Sequence, residues 1–331
     1  MKIQNGKTRI IIGFALSLLL LGIILYRLEW KEFFGALEKI QWRWIFPAVA
    51  VCITAGFLRA LRWALLSEWS SQPWLHYWRA LQIGYLFNNI FPARAGEMAR
   101  IVVISRQRAI PFLKTAAASV IDRLMDMSAL ALIALWLLTY SLPQNPLYAS
   151  FRKGIFIGIA ALILMAVFLL SGSKIKTMIG WLENRLGDKS KRFTDWGEQI
   201  IDGLENVRNP FRFLLVFAIA ATCFAFDLSG IYLMLWTMGW NLPFIAAVTT
   251  GVFMALGASL PSSPGYIGVY QAACILALGL FDIAESEAVA FSLIWQSLSL
   301  LLAISLGGGS AMYYGLNISR TAEEAAQTPS W

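Results

Sequence analysis

Six stretches of this chain are apolar over at least about 17 residues, the length that an α-helix needs to cross a lipid bilayer. They are residues 10–26, 44–66, 115–140, 153–171, 213–237 and 287–315. Hydrocarbon offers the backbone no hydrogen-bond partner, so such stretches cross a membrane as helices. Of the 331 residues, 58% are hydrophobic and 14% are charged, against about 25% charged in soluble proteins. The sequence therefore predicts an all-α polytopic membrane protein with about six full spans.

Two further apolar regions, at about 80–104 and 243–282, are interrupted by proline and glycine. The interruptions share a spacing in which a Gly lies four residues after a Pro: Pro92 and Gly96 in the first break (residues 91–96), and Pro261 and Gly265 in the second break (residues 260–268). Interrupted helices at matching positions in two halves of a chain point to a transporter's central site. We predict two re-entrant helical hairpins of opposite orientation, forming an inverted repeat.

The predicted organisation is a single transmembrane domain over residues 1–319, with halves at about 1–150 and 151–319. Most of the 27 Lys and Arg residues lie on one side if the N-terminus is cytoplasmic. The positive-inside rule then places both termini in the cytoplasm and the protein in the inner membrane. The net charge of +8 favours anionic lipid headgroups as partners rather than nucleic acid. Residues 174–210 have the pattern of an amphipathic helix on the cytoplasmic surface or of a regulatory arm, and residues 320–331 that of a disordered tail.

Several ionisable residues lie within the predicted spans or beside the first break, where each is a candidate for function. They are Arg59, Arg62, Arg94, Glu97, Arg100, Asp122, Arg123 and Asp126. Arg outnumbers the carboxylates, and a guanidinium group binds phosphate through two parallel hydrogen bonds. A helix that begins at Gly96 would add its N-terminal amides. Three interpretations remain open: a pocket for a phosphate-bearing group, an internally neutral ion-pair cluster that fastens the hairpin, or extension of Arg59 and Arg62 to the interface.

The second break carries little charge and offers hydroxyl and amide groups instead, from Ser259, Ser262, Ser263 and Gln271. Asp227 lies in the middle of the predicted span at 213–237. A carboxyl group there is costly, so we expect Asp227 to face the interior and bond near the second hairpin, with a proton relay as the alternative.

Three motifs have a recognisable form. P-A-R-A-G-E-M-A-R at 92–100 is similar to P-x-R-x-G-E-x-x-R, D-R-L-M-D at 122–126 to E-R-x-x-D, and L-P-S-S-P-G-Y-I-G-V-Y-Q at 260–271 to L-P-x-x-P-G-G-I-G-x-x-E. The chain thereby resembles the flippase-like transmembrane domain of the lysylphosphatidylglycerol synthases. The resemblance implies a bacterial or archaeal membrane protein that translocates lipids. It points to Arg94, Gly96, Glu97, Arg100, Arg123, Asp126, Pro261, Pro264, Gly265 and Gly268 as site residues.

Three positions depart from the family pattern. Asp122 stands where the family has Glu, Tyr266 replaces the second Gly and predicts a stiffer turn, and Gln271 replaces a Glu and removes a charge. The sequence shows no soluble aminoacyl-transferase domain after the last predicted span, so we expect no synthesis of lysyl-lipid.

The leading hypothesis is a lipid translocase of the flippase type that moves a phosphate-bearing lipid across the cytoplasmic membrane. A membrane-embedded lipid-headgroup or glycosyl transferase, and a non-transporting scaffold for a partner synthase, are the alternatives. The single His76 cannot complete a triad or a zinc site, and we predict neither enzyme activity nor a cofactor. Expected partners are anionic or phosphate-bearing lipids, with a homo-oligomer or a lipid synthase as further candidates.

Overall fold

The structure is a computed structural model that describes residues 28–68, 73–91, 95–140, 208–259 and 263–316, with scattered positions within 19–26, at 70 and within 199–206. All regular elements in this part of the chain are helical, as predicted. The α-helices are α1 (Trp30–Glu38), α2 (Ile45–Glu68), α3 (Trp74–Ile90), α4 (Ala95–Gln107), α5 (Phe112–Tyr140), α6 (Pro210–Thr237), α7 (Phe244–Ser259), α8 (Val269–Leu278), α9 (Glu285–Leu302) and α10 (Gly308–Tyr313). A π-helical turn, Ala303–Gly307, joins α9 to α10.

Four helical segments among the described residues are long and apolar enough to cross a membrane: Trp42–Glu68, Pro210–Thr237, Pro264–Phe281 and Glu285–Tyr313. Three of them match predicted spans, and the predicted span at 115–140 forms α5. The segment Pro264–Phe281 belongs to the predicted second hairpin. A helix of this length could cross the bilayer, so the re-entry of that hairpin and the total of six spans stay predictions.

Other predictions fall outside the described residues in whole or in large part. They concern the spans at 10–26 and 153–171, the amphipathic helix at 174–210 and the tail at 320–331.

The described residues form two compact units. Unit 1 takes its described residues from Met1–Ala55, Leu81–Arg100 and Ala225–Trp331, and unit 2 from Gly56–Ala80 and Ile101–Phe224. Each unit therefore combines residues from both of the predicted halves of the chain.

The first interrupted region forms a pair of closely packed helices in unit 1. A Cβ atom added to Gly96 of α4 would lie 1.9 Å from the carbonyl oxygen of Gly84 in α3, and one added to Gly84 would lie 3.0 Å from the oxygen of Gly96. The two backbones therefore touch directly. Glycine is needed here because of this close approach.

The second interrupted region also forms two packed helices in unit 1. Gly257 of α7 faces Val269 and Ala273 of α8, with 3.0 Å between a Cβ added to Gly257 and a methyl carbon of Val269. The predicted pattern of helix, break and helix is thus present at both positions.

A third backbone contact holds α3 against the π-helical turn in unit 1. A Cβ on Gly307 would lie 2.5 Å from the carbonyl oxygen of Gln82 and 2.8 Å from the Cβ of Leu86. The helix pair α9–α10 also meets α1, because the backbone amide of Glu29 donates to the Ser286 hydroxyl at 3.0 Å. The contact at Gly307 therefore fixes the position of α3 against the π-helical turn, and the hydrogen bond at Ser286 joins α9 to the start of α1.

In unit 2, a polar contact joins the ends of helices that are distant in sequence. The Tyr77 hydroxyl donates to one oxygen of Glu68 at 2.9 Å, and Arg108 donates to both oxygens of Glu68, at 2.9 and 3.1 Å. The rings of Trp63 and Tyr77 pack edge to face, with centroids 4.9 Å apart.

Candidate functional site

A buried arginine joins α2 to α5 in unit 2. Arg62 is 0% exposed, and its guanidinium lies 2.7 Å from Oδ1 of Asp122 and 2.8 Å from Oδ1 of Asp126. Asp122 and Asp126 are one turn apart on α5, so their carboxylates project from the same face. Arg62 thereby bridges the carboxylates of Asp122 and Asp126. The sequence alone could not show which arginine pairs with these two residues.

The geometry at Arg62 is that of an ion-pair cluster. Its Nε donates to Asp122 at 2.8 Å, Nη2 also contacts Asp122, and Nη1 contacts Asp126. All three guanidinium nitrogens therefore face protein carboxylates. Arg62 neither extends to the interface nor presents an open fork to a phosphate.

Two more arginines surround this cluster in unit 2. Arg123 lies 3.5 Å from Asp126 and is 39% exposed. Arg59 is half-buried, and its charge also acts on Asp126. Arg59 and Arg123 are therefore more accessible than Arg62 and leave the cluster with a net positive charge.

The first break places a buried arginine and an amide cap in unit 1. The backbone amide of Gly96 donates to Oδ1 of Asn88 at 2.9 Å. Arg100, one turn further along α4, is 2% exposed and pairs with Glu97 at 3.0 Å. The amide of Gly96, predicted as a donor for an anion, is therefore already occupied by a side chain of α3.

The second break has an unusual backbone. Gly265, Tyr266 and Gly268 have φ angles of 68°, 61° and 85°. Glycine adopts such angles without strain, whereas a bulky residue does not. Tyr266, which departs from the family pattern, is held in this conformation beside Tyr270, with ring centroids 5.1 Å apart and planes 13° apart.

Two glutamine side chains close the second break. Gln271, at the third position of α8, accepts from the backbone amide of Gly268 at 2.7 Å, as in a capping box. Its Nε2 donates to Oε1 of Gln296 in α9 at 2.8 Å. The Nε2 of Gln296 in turn donates to the carbonyl oxygen of Gly265. Where the family pattern has a charged Glu, this chain has a neutral carboxamide pair.

The second break lies beside the end of α3 in unit 1. A Cβ on Gly265 would lie 3.6 Å from Oδ1 of Asn89 and 4.0 Å from its backbone oxygen. Asn89 is at the end of α3, two residues before the first break, and its Nδ2 donates to the carbonyl oxygen of Tyr85 at 2.9 Å. The second break is therefore close to the helix that leads into the first break.

The predicted site residues thus fall into two groups that belong to different units. Arg59, Arg62, Asp122, Arg123 and Asp126 lie in unit 2, and Gly96, Glu97, Arg100, Pro264, Gly265, Gly268 and Gln271 lie in unit 1. Asp227 is half-buried in α6 of unit 1, and its predicted role stays open. Arg94, Pro261 and Ser262 lie outside the described residues.

Sequence reasoning overlooked three polar residues at this site. Asn88 and Asn89 stand directly before the first break, and Gln296 lies in an otherwise apolar helix. Each had a signal in the sequence, because a carboxamide within a membrane-spanning segment needs a polar partner.

The fold and the site define a helical membrane protein in which the second break lies beside the end of α3. The chain belongs to the family described as the lysylphosphatidylglycerol synthase transmembrane region, whose model matches residues 10–307. No curated protein and no solved structure matches the chain. The family places the protein in a membrane and associates it with lipids.

Proposed function

We propose that this protein is a lipid translocase of the flippase type that moves a phosphate-bearing lipid across the cytoplasmic membrane. The observation that supports this proposal is the approach of the second break, at Gly265, to Asn89 at the end of α3, two residues before the first break, in unit 1. Irregular backbone at membrane depth is tolerated where it is buried in protein or lines a polar cavity. A lipid headgroup needs such a polar route, because its transfer through hydrocarbon costs many kcal/mol.

The groups around the breaks suit a phosphate. Arg100 supplies a guanidinium group from α4, and its partner Glu97 is 29% exposed, so that end of the pair reaches the surface. In the proposal, a phosphate oxygen takes the place of the Glu97 carboxylate on Arg100 while the headgroup passes. Asn88 and Asn89 contribute carboxamides for the rest of the headgroup.

The test is lipid movement in liposomes that contain the purified protein. Fluorescent phosphatidylglycerol is placed in both leaflets, and dithionite reports how fast the inner-leaflet lipid becomes accessible. The protein is expected to accelerate this movement over protein-free liposomes. Arg100→Gln should slow it about 10- to 100-fold, since a lost hydrogen bond to a charged group costs about 1.5–3 kcal/mol.

Arg106→Gln is the matched control, because Arg106 lies on the same helix, is exposed and loses the same charge. It should retain the rate of the unaltered protein. Thermal unfolding of each variant separates a loss of transport from a loss of fold. If the unaltered protein moves lipid no faster than empty liposomes, the translocase proposal is wrong. Labelled lipid that stays bound to the protein in that case would favour the alternative of a non-transporting scaffold. Equal rates for Arg100→Gln and Arg106→Gln would remove Arg100 from the path.

A further inference from the structure

We propose that Gln296 is a positioning residue that holds the second break against Asn89. It does so through a chain of hydrogen bonds between carboxamides, termed the relay, in which only one order of donors and acceptors is possible. This inference concerns the same site as the proposed function and rests on it for its meaning in transport. The relay runs from the Gly268 amide to Gln271, from Gln271 to Gln296, and from Gln296 to the Gly265 carbonyl.

The direction of the relay is fixed by its two ends. A backbone amide can only donate, so the Gln271 oxygen must face Gly268 and its NH2 group must face Gln296. Gln296 must then accept with its oxygen and donate with its nitrogen. The Gly265 carbonyl at the far end can only accept, so this orientation satisfies every group. Both ends of the relay lie in the same break, which the relay therefore closes into a ring.

The relay stabilises the backbone of the second break, where Tyr266 has a positive φ angle. Residues with positive φ that are not glycine persist when their surroundings over-determine the conformation, and Tyr266 at 61° is such a residue. Tyr266 and Ile267 are the two residues between Gly265 and Gly268, whose backbone groups end the relay. Gln271 is 1% exposed, so water cannot readily replace its hydrogen bonds. Gln296, which reaches this loop from α9, is therefore placed to set the position of Gly265 beside Asn89.

Because the order of donors and acceptors in the relay is fixed, the effects of introducing charges at Gln271 and Gln296 can be predicted. In Gln271→Glu, the carboxylate can accept from Gly268 but cannot donate to residue 296. Gln296 must then turn to donate, and its oxygen faces the Gly265 carbonyl. In Gln296→Lys, the ammonium can donate to Gly265 but meets the NH2 group of Gln271. Each single change leaves two donors or two acceptors facing each other in a part-buried contact, whereas the double variant restores donation at every step.

The experiment measures the position of the tips without lipid transport. Asn89→Cys and Gly265→Cys, termed the tip pair, are introduced with Cys52→Ala, Cys223→Ala and Cys274→Ala. The yield of disulfide after mild oxidation in membranes is the readout. Gly265 contributes only its carbonyl to the relay, and the strain that Gly265→Cys adds at a φ of 68° is common to all the tip-pair variants that are compared. Asn89→Cys with Gly279→Cys is the control pair, because Gly279 lies in open space at the far end of α8, about 15 Å along that helix.

The tip pair should cross-link efficiently and the control pair should not. Gln271→Glu or Gln296→Lys should each lower the yield of the tip pair at least about fivefold, as expected for a lost buried hydrogen bond. The combination of both should return the yield to within about twofold of its starting value, and should also restore folding if either single variant fails to fold.

Unchanged yield in both single variants would overturn the positioning role of Gln296. A double variant that stays as low as the single variants would overturn the directional relay. The disulfide yields do not depend on lipid transport. Failure of the positioning role of Gln296 can therefore be distinguished from failure of the translocase proposal in liposomes.

Discussion

Gly96→Ala is expected to prevent the first hairpin from forming. The added Cβ would lie 1.9 Å from the carbonyl oxygen of Gly84 and 2.6 Å from Oδ1 of Asn88. The first of these atoms is backbone and cannot rotate away, so α3 and α4 must separate. Overpacking of a core typically costs about 1–3 kcal/mol, and we expect a loss in the free energy of unfolding of more than about 3 kcal/mol, because separation also breaks the cap from Asn88.

Thermal unfolding in detergent, together with the yield of monodisperse protein, checks this expectation. Gly35→Ala in α1 is the matched control, since nothing lies within 4 Å of a Cβ built there. In a helix this control should be neutral or stabilising by up to about 1 kcal/mol. A Gly96→Ala variant as stable as Gly35→Ala would show that the two backbones do not touch.

Arg62→Leu is expected to lower the free energy of unfolding by about 3–5 kcal/mol. The substitution leaves the Asp122 carboxylate, which is 3% exposed, without the guanidinium that joins it to Asp126, whereas Arg123 still lies 3.5 Å from Asp126. Removal of one partner from a buried ion pair has effects of this size, because the remaining charge is not compensated. The loss would appear in chemical or thermal unfolding whether or not the protein transports lipid.

Two further variants show whether the loss of charge causes the lower stability of Arg62→Leu. The triple variant Arg62→Leu, Asp122→Leu and Asp126→Leu removes the whole cluster and should recover most of the lost stability. Arg123→Leu removes an arginine that is 39% exposed and 3.5 Å from Asp126, and should cost less than about 1 kcal/mol. A triple variant no more stable than Arg62→Leu would mean that packing of the Arg62 side chain, rather than its charge, holds α2 to α5.

Local patterns predicted the breaks well. Proline lacks an amide hydrogen and disfavours the helical conformation of the residue before it, and in both regions separate helices stand on either side of the proline: α3 and α4, and α7 and α8. The positive φ of Gly265 agrees with the conformational freedom expected of a turn glycine. Gly96, however, was predicted as the start of a helix whose amides face an anion, and the structure gives a different reason for glycine at this position. Gly96 lies inside α4 and is required by contact with Gly84, a tertiary feature that no local pattern contains.

Pairing between distant residues could not be predicted from the sequence. The i, i+4 spacing showed that Asp122 and Asp126 share a face, but Arg62 is 60 residues before Asp122. Several arginines were equally suitable until α2 and α5 were packed together. The same limit applies to Gln296, which is 25 residues from Gln271 and gains its role through the packing of α9 against α8.

The most direct test of the central claim is lipid movement in liposomes that contain the tip pair. A lipid headgroup is proposed to pass between the end of α3 and the second break, where Gly265 lies beside Asn89. The movement of fluorescent phosphatidylglycerol is read by extraction into albumin, because dithionite also reduces disulfides. Oxidation of the tip pair should stop the movement that the reduced tip pair supports, and a reducing agent should restore it, while the single variants Asn89→Cys and Gly265→Cys respond to neither. Lipid movement at an unchanged rate in fully cross-linked protein would contradict the account.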